Sequence, residues 1–324
     1  MKILVFRNSN FGDYFISIPV LRLLRKKFKN CTITYLTIKN REKFSLPLKI
    51  GDERIVDDFF LIDKKDYRYF KNLKKIIEKI KKKKFDKLIY LQEYSSIFSL
   101  IKHYIFFYFT GIPEIIGFKF YFYKRNYFKE SETIQIARRI FQNLKKKTIS
   151  SSQFLNSYNE KKIIRHKYFT IGPGGFALGR LPDKIKTYKP IRWKNENWIK
   201  LCQKLISRYK NIKIVITGTK KERLLSKKIK KKFRNNIIDK CGKTSVDEWI
   251  NIIKYSELHI CQDNGSMHLA TLFQKKNIAL FNNHDFYGKW FPLNKNSYVI
   301  RLDGDINTIE LSHIFRGIKK LIKK

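Results

Sequence analysis

A repeated alternation of short apolar runs with longer amphipathic segments is the feature of this sequence that most constrains its fold. Residues 2–7, 31–38, 168–171 and 212–217 are examples of apolar runs with little polar alternation, which is typical of strands covered on both faces. The segments between such runs repeat their apolar residues at helical spacing. Strands that alternate with helices in this way form parallel sheets, so the sequence predicts an α/β fold.

The length and one polar segment predict two domains. The chain has 324 residues, which is enough for two domains that each bury a core. Residues 148–162 are polar, poorly patterned and include three consecutive serines. We therefore predict an N-terminal domain of residues 1–155 and a C-terminal domain of residues 156–324.

The segment I-C-Q-D-N-G-S-M-H-L-A, residues 260–270, combines a strand end, a polar turn and a helix start. Asp263, Asn264, Gly265 and Ser266 form the turn. A turn of this kind offers backbone N–H groups and the positive end of a helix dipole, which together suit a phosphate. An alternative is a plain Asp or Asn helix cap, with His268 buried as a satisfied core histidine.

The first apolar run leads into a polar loop, N-S-N-F-G-D, at residues 8–13. Asp13 then falls at the carboxyl end of the first strand, where open α/β sheets bind their ligands. The loop has one glycine, Gly12, so the dinucleotide-binding fingerprint of a dehydrogenase is absent. The alternative role of Asp13 is to cap the helix that follows.

The formal net charge of +44 suggests an anionic partner. The lysines are dispersed over many segments, and residues with A/T-rich codons are abundant, so genome composition explains part of the excess. This pattern disfavours a specific nucleic-acid reader and favours attraction to an anionic membrane surface.

Residues 118–129, F-K-F-Y-F-Y-K-R-N-Y-F-K, mix aromatic with basic side chains. Such a segment suits a membrane interface, although a partly packed β segment of an aromatic-rich protein is slightly favoured. The four cysteines are scattered and indicate reduced thiols. No apolar run reaches the length that a bilayer requires, and the N-terminus is not typical of a signal peptide.

Several motifs, in this order and spacing, resemble the ADP-heptose:lipopolysaccharide heptosyltransferase family over most of the chain. The most specific is D-N-G-S-M-H-L-A at residues 263–270, where the family usually has Asp-Thr-Gly followed shortly by His. Supporting motifs are Gly12-Asp13, P-G-G at 173–175, R-W at 192–193, G-T-K-K-E at 218–222 and C-G-K-T-S at 241–245.

The resemblance implies an α/β fold of two facing Rossmann-like domains (GT-B), with the acceptor on the N-terminal half and the nucleotide sugar on the C-terminal half. It implies that Asp13 is the catalytic base, that Glu222 holds the ribose and that Thr244 lies near the adenine. The donor-binding residues that it implies are Gly174, Gly175, Arg192, Gly218, Glu222, Thr244, Asp263, Asn264, Gly265, Ser266 and His268. Asn264 replaces the usual Thr or Ser, and Ile191 stands where many relatives have Lys, so Lys189 or Arg192 supplies that cation instead.

The expected activity is transfer of a heptose or related sugar from an ADP-sugar to a lipopolysaccharide-core or other lipid-linked saccharide acceptor. We expect inversion, with no metal and no cofactor, because a helix start, glycine amides and a cation can stabilise the diphosphate leaving group. The expected location is cytoplasmic, on the inner face of the inner membrane, with no specific nucleic acid as partner. Two alternatives remain, which are a different nucleotide-sugar donor and a basic protein that binds nucleic acid or an anionic surface.

Overall fold

The structure is a computed structural model that describes residues 1–39, 46–50, 52–68, 70–92, 97–118, 131–141, 155, 161–174, 192–281, 290–302 and 305–322. It separates into two compact units, Met1–Phe154 and Leu155–Lys324. Leu155 is tied to the second unit, because its amide donates a 3.0 Å hydrogen bond to the carbonyl of Leu272. None of the described helices is long and apolar enough to cross a bilayer.

The first unit is built on a sheet of parallel strands. In chain order the strands and helices are β1 (Lys2–Phe6), α1 (Phe11–Lys27), β2 (Thr32–Lys39), β3 (Lys49–Ile50), β4 (Glu53–Arg54), β5 (Asp58–Asp63), α2 (Lys64–Arg68), α3 (Phe70–Lys83), β6 (Lys87–Tyr90), α4 (Ile97–Tyr108), β7 (Glu114–Ile116) and α5 (Glu132–Ile140). The five-stranded sheet has the order β5-β2-β1-β6-β7, and β3 and β4 form a separate antiparallel pair.

Helices α3 and α4 bury their apolar sides against one face of this sheet. Ile76 and Ile80 of α3 and Phe107 of α4 share a core cluster with Leu4 of β1 and Leu88 of β6. Helix α1 packs with α5, and its Tyr14 ring meets Tyr35 of β2 edge to face. Pro19 lies inside α1, eight residues after its start, and not in the first turn. Proline is tolerated there only at the cost of a helical hydrogen bond.

The second unit is also built on a parallel sheet. Its elements are β8 (Tyr168–Gly172), α6 (Asn195–Arg208), β9 (Lys213–Ile216), a 3₁₀ turn (Lys220–Glu222), α7 (Arg223–Phe233), β10 (Ile237–Asp239), α8 (Val246–Lys254), β11 (Leu258–Gln262), α9 (Gly265–Leu272), β12 (Asn277–Phe281), β13 (Ser297–Arg301) and α10 (Leu311–Ile322). The six strands have the order β10-β9-β8-β11-β12-β13.

The second unit buries both faces of its sheet. Trp198 of α6, Ile229 of α7 and Ile318 of α10 share a core with Ile171 of β8 and Ile260 of β11. On the other side Ile252 of α8 packs with Tyr168 and Val215, and Met267 of α9 packs with Cys261 and Ala279. Covering both faces explains why the strands read as continuous apolar runs.

Both sheets reverse their strand order beside their first strand. Counted along the chain, the second sheet has the order 3-2-1-4-5-6, and the first has 3-2-1-4-5 when the β3–β4 pair is left out. The first and fourth strands are therefore neighbours, β8 beside β11 and β1 beside β6. The crevice outside the carboxyl ends of these two strands is where open α/β sheets bind ligands.

The α/β fold of two Rossmann-like units is confirmed, and the differences from the sequence prediction are local. Strand β7 lies in a region where Gly111, Pro113 and Gly117 favour a loop. Pairing with β6 stabilises this short edge strand, and such tertiary pairing overrides weak local preference. The predicted aromatic and basic segment 118–129 lies outside the described residues, apart from Phe118.

Candidate functional site

Asn264 connects the carboxyl ends of the two central strands in the second unit. Its side-chain oxygen caps α9 by accepting from the amides of Ser266 at 2.9 Å and Met267 at 3.3 Å. Its side-chain amide donates to the carbonyl of Gly172 at 3.2 Å and also to that of Gly174. The turn after β8 and the start of α9 after β11 are thereby held together at the switch point.

The cap changes which backbone groups a ligand can use. We expected free amides across the turn at Asn264 to Ser266, but Asn264 itself binds the amides of Ser266 and Met267. Gly265 lies in the first turn of α9. Its backbone N–H donates no hydrogen bond to an acceptor within the described part of the chain. The helix cap and the anion site are therefore compatible, because the cap leaves the dipole of α9 in place and does not use the amide of Gly265.

A buried chain of hydrogen bonds supports Asn264 from behind. His259 of β11 has its Nε2 2.8 Å from the Ser266 hydroxyl and its Nδ1 2.9 Å from the Thr170 hydroxyl. Ser266 donates in turn to the Asn264 side-chain oxygen. Burial lowers the pKa of His259 to about 3, so the imidazole is neutral near neutral pH. If Ser266 donates to Asn264, the proton of His259 lies on Nε2 and Thr170 donates to Nδ1.

Gly172 leaves room for this chain of hydrogen bonds. A Cβ at Gly172 would lie 2.8 Å from the Ser266 hydroxyl and 3.3 Å from Cε1 of His259. Real Cβ atoms do not approach so closely, so any side chain at this position would displace Ser266 or His259. The requirement for glycine here is steric and not conformational.

Glu222 lies over two glycines at the ends of β8 and β9. A Cβ at Gly174 would lie 3.2 Å from its Oε1, and a Cβ at Gly218 would lie 3.1 Å from its Oε2. Oε2 accepts from the amide of Thr219 at 2.8 Å and from its hydroxyl at 2.7 Å, which is a capping box. Oε1 accepts no hydrogen bond within the described residues, so it remains available to a ligand hydroxyl.

Gly174 lies against both Asn264 and Glu222. Its carbonyl accepts from Asn264, and its missing side chain makes room for Glu222. The structure therefore brings together Gly174, Gly218, Glu222, Asn264, Gly265 and Ser266 around the carboxyl ends of β8, β9 and β11. Gly175 lies outside the described residues, as do Lys189 and Ile191.

Thr244 and Arg192 lie at the margins of this group. The turn before Thr244 is fixed beside Gly218, because the amide of Gly242 donates to the Gly218 carbonyl at 2.8 Å. Arg192 has an exposed side chain and precedes the buried Trp193, whose amide donates to the Gln262 side chain at the end of β11. Arg192 is therefore anchored near that strand end by its neighbour.

Asp263 and His268 flank the cap. The amide of Asp263 donates to the carbonyl of Leu280 at 3.2 Å, which places Asp263 at the end of β11 beside β12. His268 is buried in α9, and its ring meets Trp290 edge to face at 6.3 Å between centroids. The structure thus supports the alternative of a packed histidine, although a packed ring can still present one nitrogen to a ligand.

Asp13 lies in the first turn of α1, at the carboxyl end of β1. Its Oδ2 accepts from the Asn10 amide at 2.9 Å, so it caps the helix, and its side chain is 24% exposed. The Arg7 guanidinium, which is buried, lies 3.6 Å from Oδ1. Capping uses one oxygen, so the capping role does not exclude a second role for this carboxylate.

Among the described residues, Ser17, Glu132 and Asp13 contact the guanidinium of Arg7. Its Nη2 bonds Glu132 of α5 at 2.7 Å and its Nη1 donates to Ser17 at 3.2 Å, in addition to the contact with Asp13. Sequence reasoning missed both Arg7 and Glu132, because they are 125 residues apart. It also missed His259, whose one signal was a polar residue inside an otherwise apolar strand.

Solved structures share this architecture along the whole chain. The E. coli ADP-heptose LPS heptosyltransferase II is 16% identical with a TM-score of 0.71, covering 100% of this chain and 99% of that one. The E. coli heptosyltransferase WaaC with ADP is 15% identical with a TM-score of 0.73, covering 99% and 100%. A family 9 glycosyltransferase from Veillonella parvula is 15% identical with a TM-score of 0.70, covering 99% and 97%.

At such identities the likeness shows the fold alone. The two Rossmann-like units, each with a switch point beside its first strand, and the likeness to these structures define the GT-B fold. The model of glycosyltransferase family 9 (heptosyltransferase) matches residues 73–312, and the chain belongs to that family. No curated protein sequence matches it significantly.

Proposed function

We propose that this glycosyltransferase moves a heptose from an ADP-sugar to a lipopolysaccharide-core or other lipid-linked saccharide acceptor. The observation that carries the proposal is the contact of Gly174 with both Asn264 and Glu222 at the carboxyl ends of β8, β9 and β11. A nucleoside diphosphate needs an anion-binding helix start and a nearby acceptor for ribose hydroxyls. These residues supply both at the carboxyl ends of three neighbouring strands.

The donor-binding roles follow from the groups that stay available. Oε1 of Glu222 accepts the ribose hydroxyls, and the turn at Thr244 borders the adenine. The diphosphate binds against the Gly265 amide and the start of α9, with Arg192 as the cation. Asp263 and His268 border the sugar. The relative E. coli WaaC was solved with ADP and with ADP-2-deoxy-2-fluoro heptose, which supports an adenine nucleotide as donor here.

The proposed chemistry is direct displacement with inversion at the anomeric carbon. Negative charge develops on the diphosphate as the bond to the sugar breaks, and the dipole of α9, the Gly265 amide and Arg192 stabilise it. We propose that these groups suffice without a metal or a cofactor. Asp13 takes the proton from the attacking hydroxyl, and its neighbour Arg7 orients the carboxylate.

A lipid-linked acceptor implies work at a membrane surface, so we propose a peripheral, cytoplasmic location on the inner membrane. The net charge of +44 supports an anionic lipid partner. It does not require a specific nucleic-acid partner, because phosphate-backbone attraction carries no sequence information.

The test is a panel of nucleotide sugars, read first as thermal stabilisation and then as turnover. A donor at 100 times its dissociation constant should stabilise the protein by about 2.7 kcal/mol. We expect ADP and ADP-heptose to stabilise it and UDP or GDP sugars not to. If only a UDP or GDP sugar stabilised the protein, the proposed donor would be wrong, but the assignment as a glycosyltransferase would stand.

A salt series separates the enzyme from a basic binding protein. Binding to a phosphate backbone weakens log-linearly with salt, whereas ADP-sugar turnover should persist at moderate salt. If no nucleotide sugar stabilises the protein and nucleic acid binds with a steep salt slope, the proposed function is wrong.

A further inference from the structure

Helix α4 carries an exposed apolar face in the first unit. Of the twelve large hydrophobic side chains that are exposed in the described part of the chain, seven lie between residues 97 and 109. They are Ile97, Phe98, Ile101, Tyr104, Ile105, Tyr108 and Phe109. Scattered exposed apolar residues are ordinary, but a concentration of this kind on one element marks a binding surface.

The exposed residues form a continuous stripe. Phe98, Ile101, Ile105 and Tyr108 follow one another at spacings of three or four residues, which places them on one side of the helix. The opposite side is already used, because Leu100 and Phe107 are fully buried against the sheet. A helix that is apolar on both sides needs a second apolar environment, and the residues that the structure describes supply only the first.

A strongly basic helix lies next to this stripe. Helix α3 contacts α4, and both pack on the same face of the sheet. It exposes Lys74, Lys75, Lys79, Lys81, Lys82 and Lys83, against one exposed acid, Glu78. Helix α4 itself has no acidic residue, and Lys102 is exposed on it. We call the exposed side chains of α3 and α4 together the α3–α4 face.

We propose that the α3–α4 face docks on an anionic lipid bilayer, with α4 lying in the plane of the interface. In this arrangement Phe98, Ile101 and Ile105 enter the boundary between headgroups and acyl chains, and the rings of Tyr104 and Tyr108 lie at the headgroup level. The lysines of α3 meet the lipid phosphates. The helix has 12 residues and is about 18 Å long, so it lies on a membrane and does not span it.

Charge decides between a bilayer and a second copy of the chain. A dimer formed through this face would bring two lysine-rich α3 helices together on chains that each carry +44. That repulsion opposes self-association. An anionic bilayer, in contrast, attracts the lysines and also buries the apolar stripe at its interface. The observation is independent of the nucleotide site, which lies in the other unit.

The test is co-sedimentation of the full chain with vesicles, at physiological ionic strength and without donor or acceptor. One vesicle is an equal mixture of phosphatidylcholine and phosphatidylglycerol, and the other is phosphatidylcholine alone. We expect binding to the mixed vesicles and little binding to the neutral ones. Phe98→Ser/Ile105→Ser should weaken partitioning into mixed vesicles by at least about tenfold, because two apolar side chains no longer insert.

Two matched controls distinguish binding through the α3–α4 face from non-specific binding by exposed apolar or basic side chains elsewhere. Phe98 is 81% exposed and Leu224, on α7 of the second unit, is 77% exposed, so Leu224→Ser removes an equally exposed apolar side chain elsewhere. Lys75→Gln/Lys79→Gln should weaken binding by about fivefold for each lysine. The pair Lys227→Gln/Lys228→Gln on α7 makes the same charge change and should have a much smaller effect.

Unchanged vesicle binding by a folded Phe98→Ser/Ile105→Ser variant would overturn the proposal. So would a wild-type protein that ignores mixed vesicles, or one that is a dimer which this variant converts to a monomer. Melting temperature and ADP binding, measured on every variant, report folding and the nucleotide site separately. Loss of vesicle binding with intact ADP binding therefore supports the docking face, whatever the outcome for sugar transfer.

Discussion

Glu222 and Gly174 are in close steric contact, since a Cβ on Gly174 would lie 3.2 Å from Oε1 of Glu222. The other carboxylate oxygen, Oε2, is occupied by the Thr219 amide and hydroxyl. The two oxygens of this side chain therefore have separate tasks. One stabilises the turn, and the other faces the space that the glycine leaves open.

Glu222→Gln separates the two tasks. The amide oxygen of glutamine can replace Oε2 in the cap, but the NH₂ group cannot accept a ribose hydroxyl. We expect the KM for the donor to rise about 10- to 100-fold, with little change in melting temperature. Glu248→Gln is the matched control, because Glu248 forms the same capping box with Ser245 at α8. If both variants lose only stability, Glu222 is a cap and not a ribose ligand.

Asp13→Asn tests the proposed base. Asparagine can still accept from the Asn10 amide, as Oδ2 does at 2.9 Å, but it cannot take up the proton of the acceptor hydroxyl. We expect turnover at saturating substrates to fall by about 10²–10⁴-fold, while fold and ADP binding persist. Asp66→Asn changes a first-turn acid of α2 in the same unit and should leave turnover unchanged. Near-normal turnover of the Asp13→Asn enzyme would show that the base is another group.

Arg7 is expected to orient Asp13 as well as to neutralise Glu132. Arg7→Met leaves the Glu132 carboxylate buried without its guanidinium partner and should destabilise the protein by about 3–5 kcal/mol. Arg7→Met/Glu132→Met removes both charges and should recover most of that stability. If the double variant is stable but has a reduced kcat and an unchanged donor KM, Arg7 is a positioning residue. A wild-type kcat in the double variant would mean that Arg7 contributes to stability alone.

Asn264→Asp tests the link between the two central strands. Aspartate caps a helix as well as asparagine does, but it cannot donate to the carbonyls of Gly172 and Gly174. It also places a negative charge where the diphosphate is proposed to bind. We expect a loss of about 1–3 kcal/mol in stability and at least about tenfold weaker ADP binding, measured by urea unfolding and calorimetry. Unchanged ADP affinity would show that the diphosphate does not bind at this turn.

His259 predicts a pH dependence of stability. Burial lowers its pKa in the folded protein to about 3, while a histidine in the unfolded chain titrates near 6.5. Between these values the unfolded state binds one more proton, so stability falls as pH is lowered through this window, by about 1.4 kcal/mol per pH unit. His259→Gln should reduce that slope by one proton in urea unfolding measured at several pH values. An unchanged slope would mean that His259 is protonated in the folded state.

Much of the fold was predictable because it depends on local pattern. The runs that became β1, β8 and β11 are apolar throughout, since both faces of each sheet are covered. The helices between them follow from the helical spacing of their apolar residues. Strand β7 was not predictable, because three residues beside Gly117 acquire their conformation by pairing with β6.

For the site, the sequence by itself determined which residues stand at strand ends. The polar turn at 263–266, Glu222 after Gly218, and Asp13 after β1 are all read from neighbours in the chain. Turns between a strand and a helix are specified by a few consecutive residues, so a linear reading finds them.

Only the tertiary structure decided how those turns meet. The sheet order brings β8 beside β11, and this places Gly174 against both Asn264 and Glu222, which are 90 and 48 residues away along the chain. The Arg7–Glu132 pair and the His259–Thr170 bond likewise join residues about a hundred positions apart. Such contacts depend on how strands are ordered and helices packed, which is a property of the folded chain as a whole and not of any segment within it.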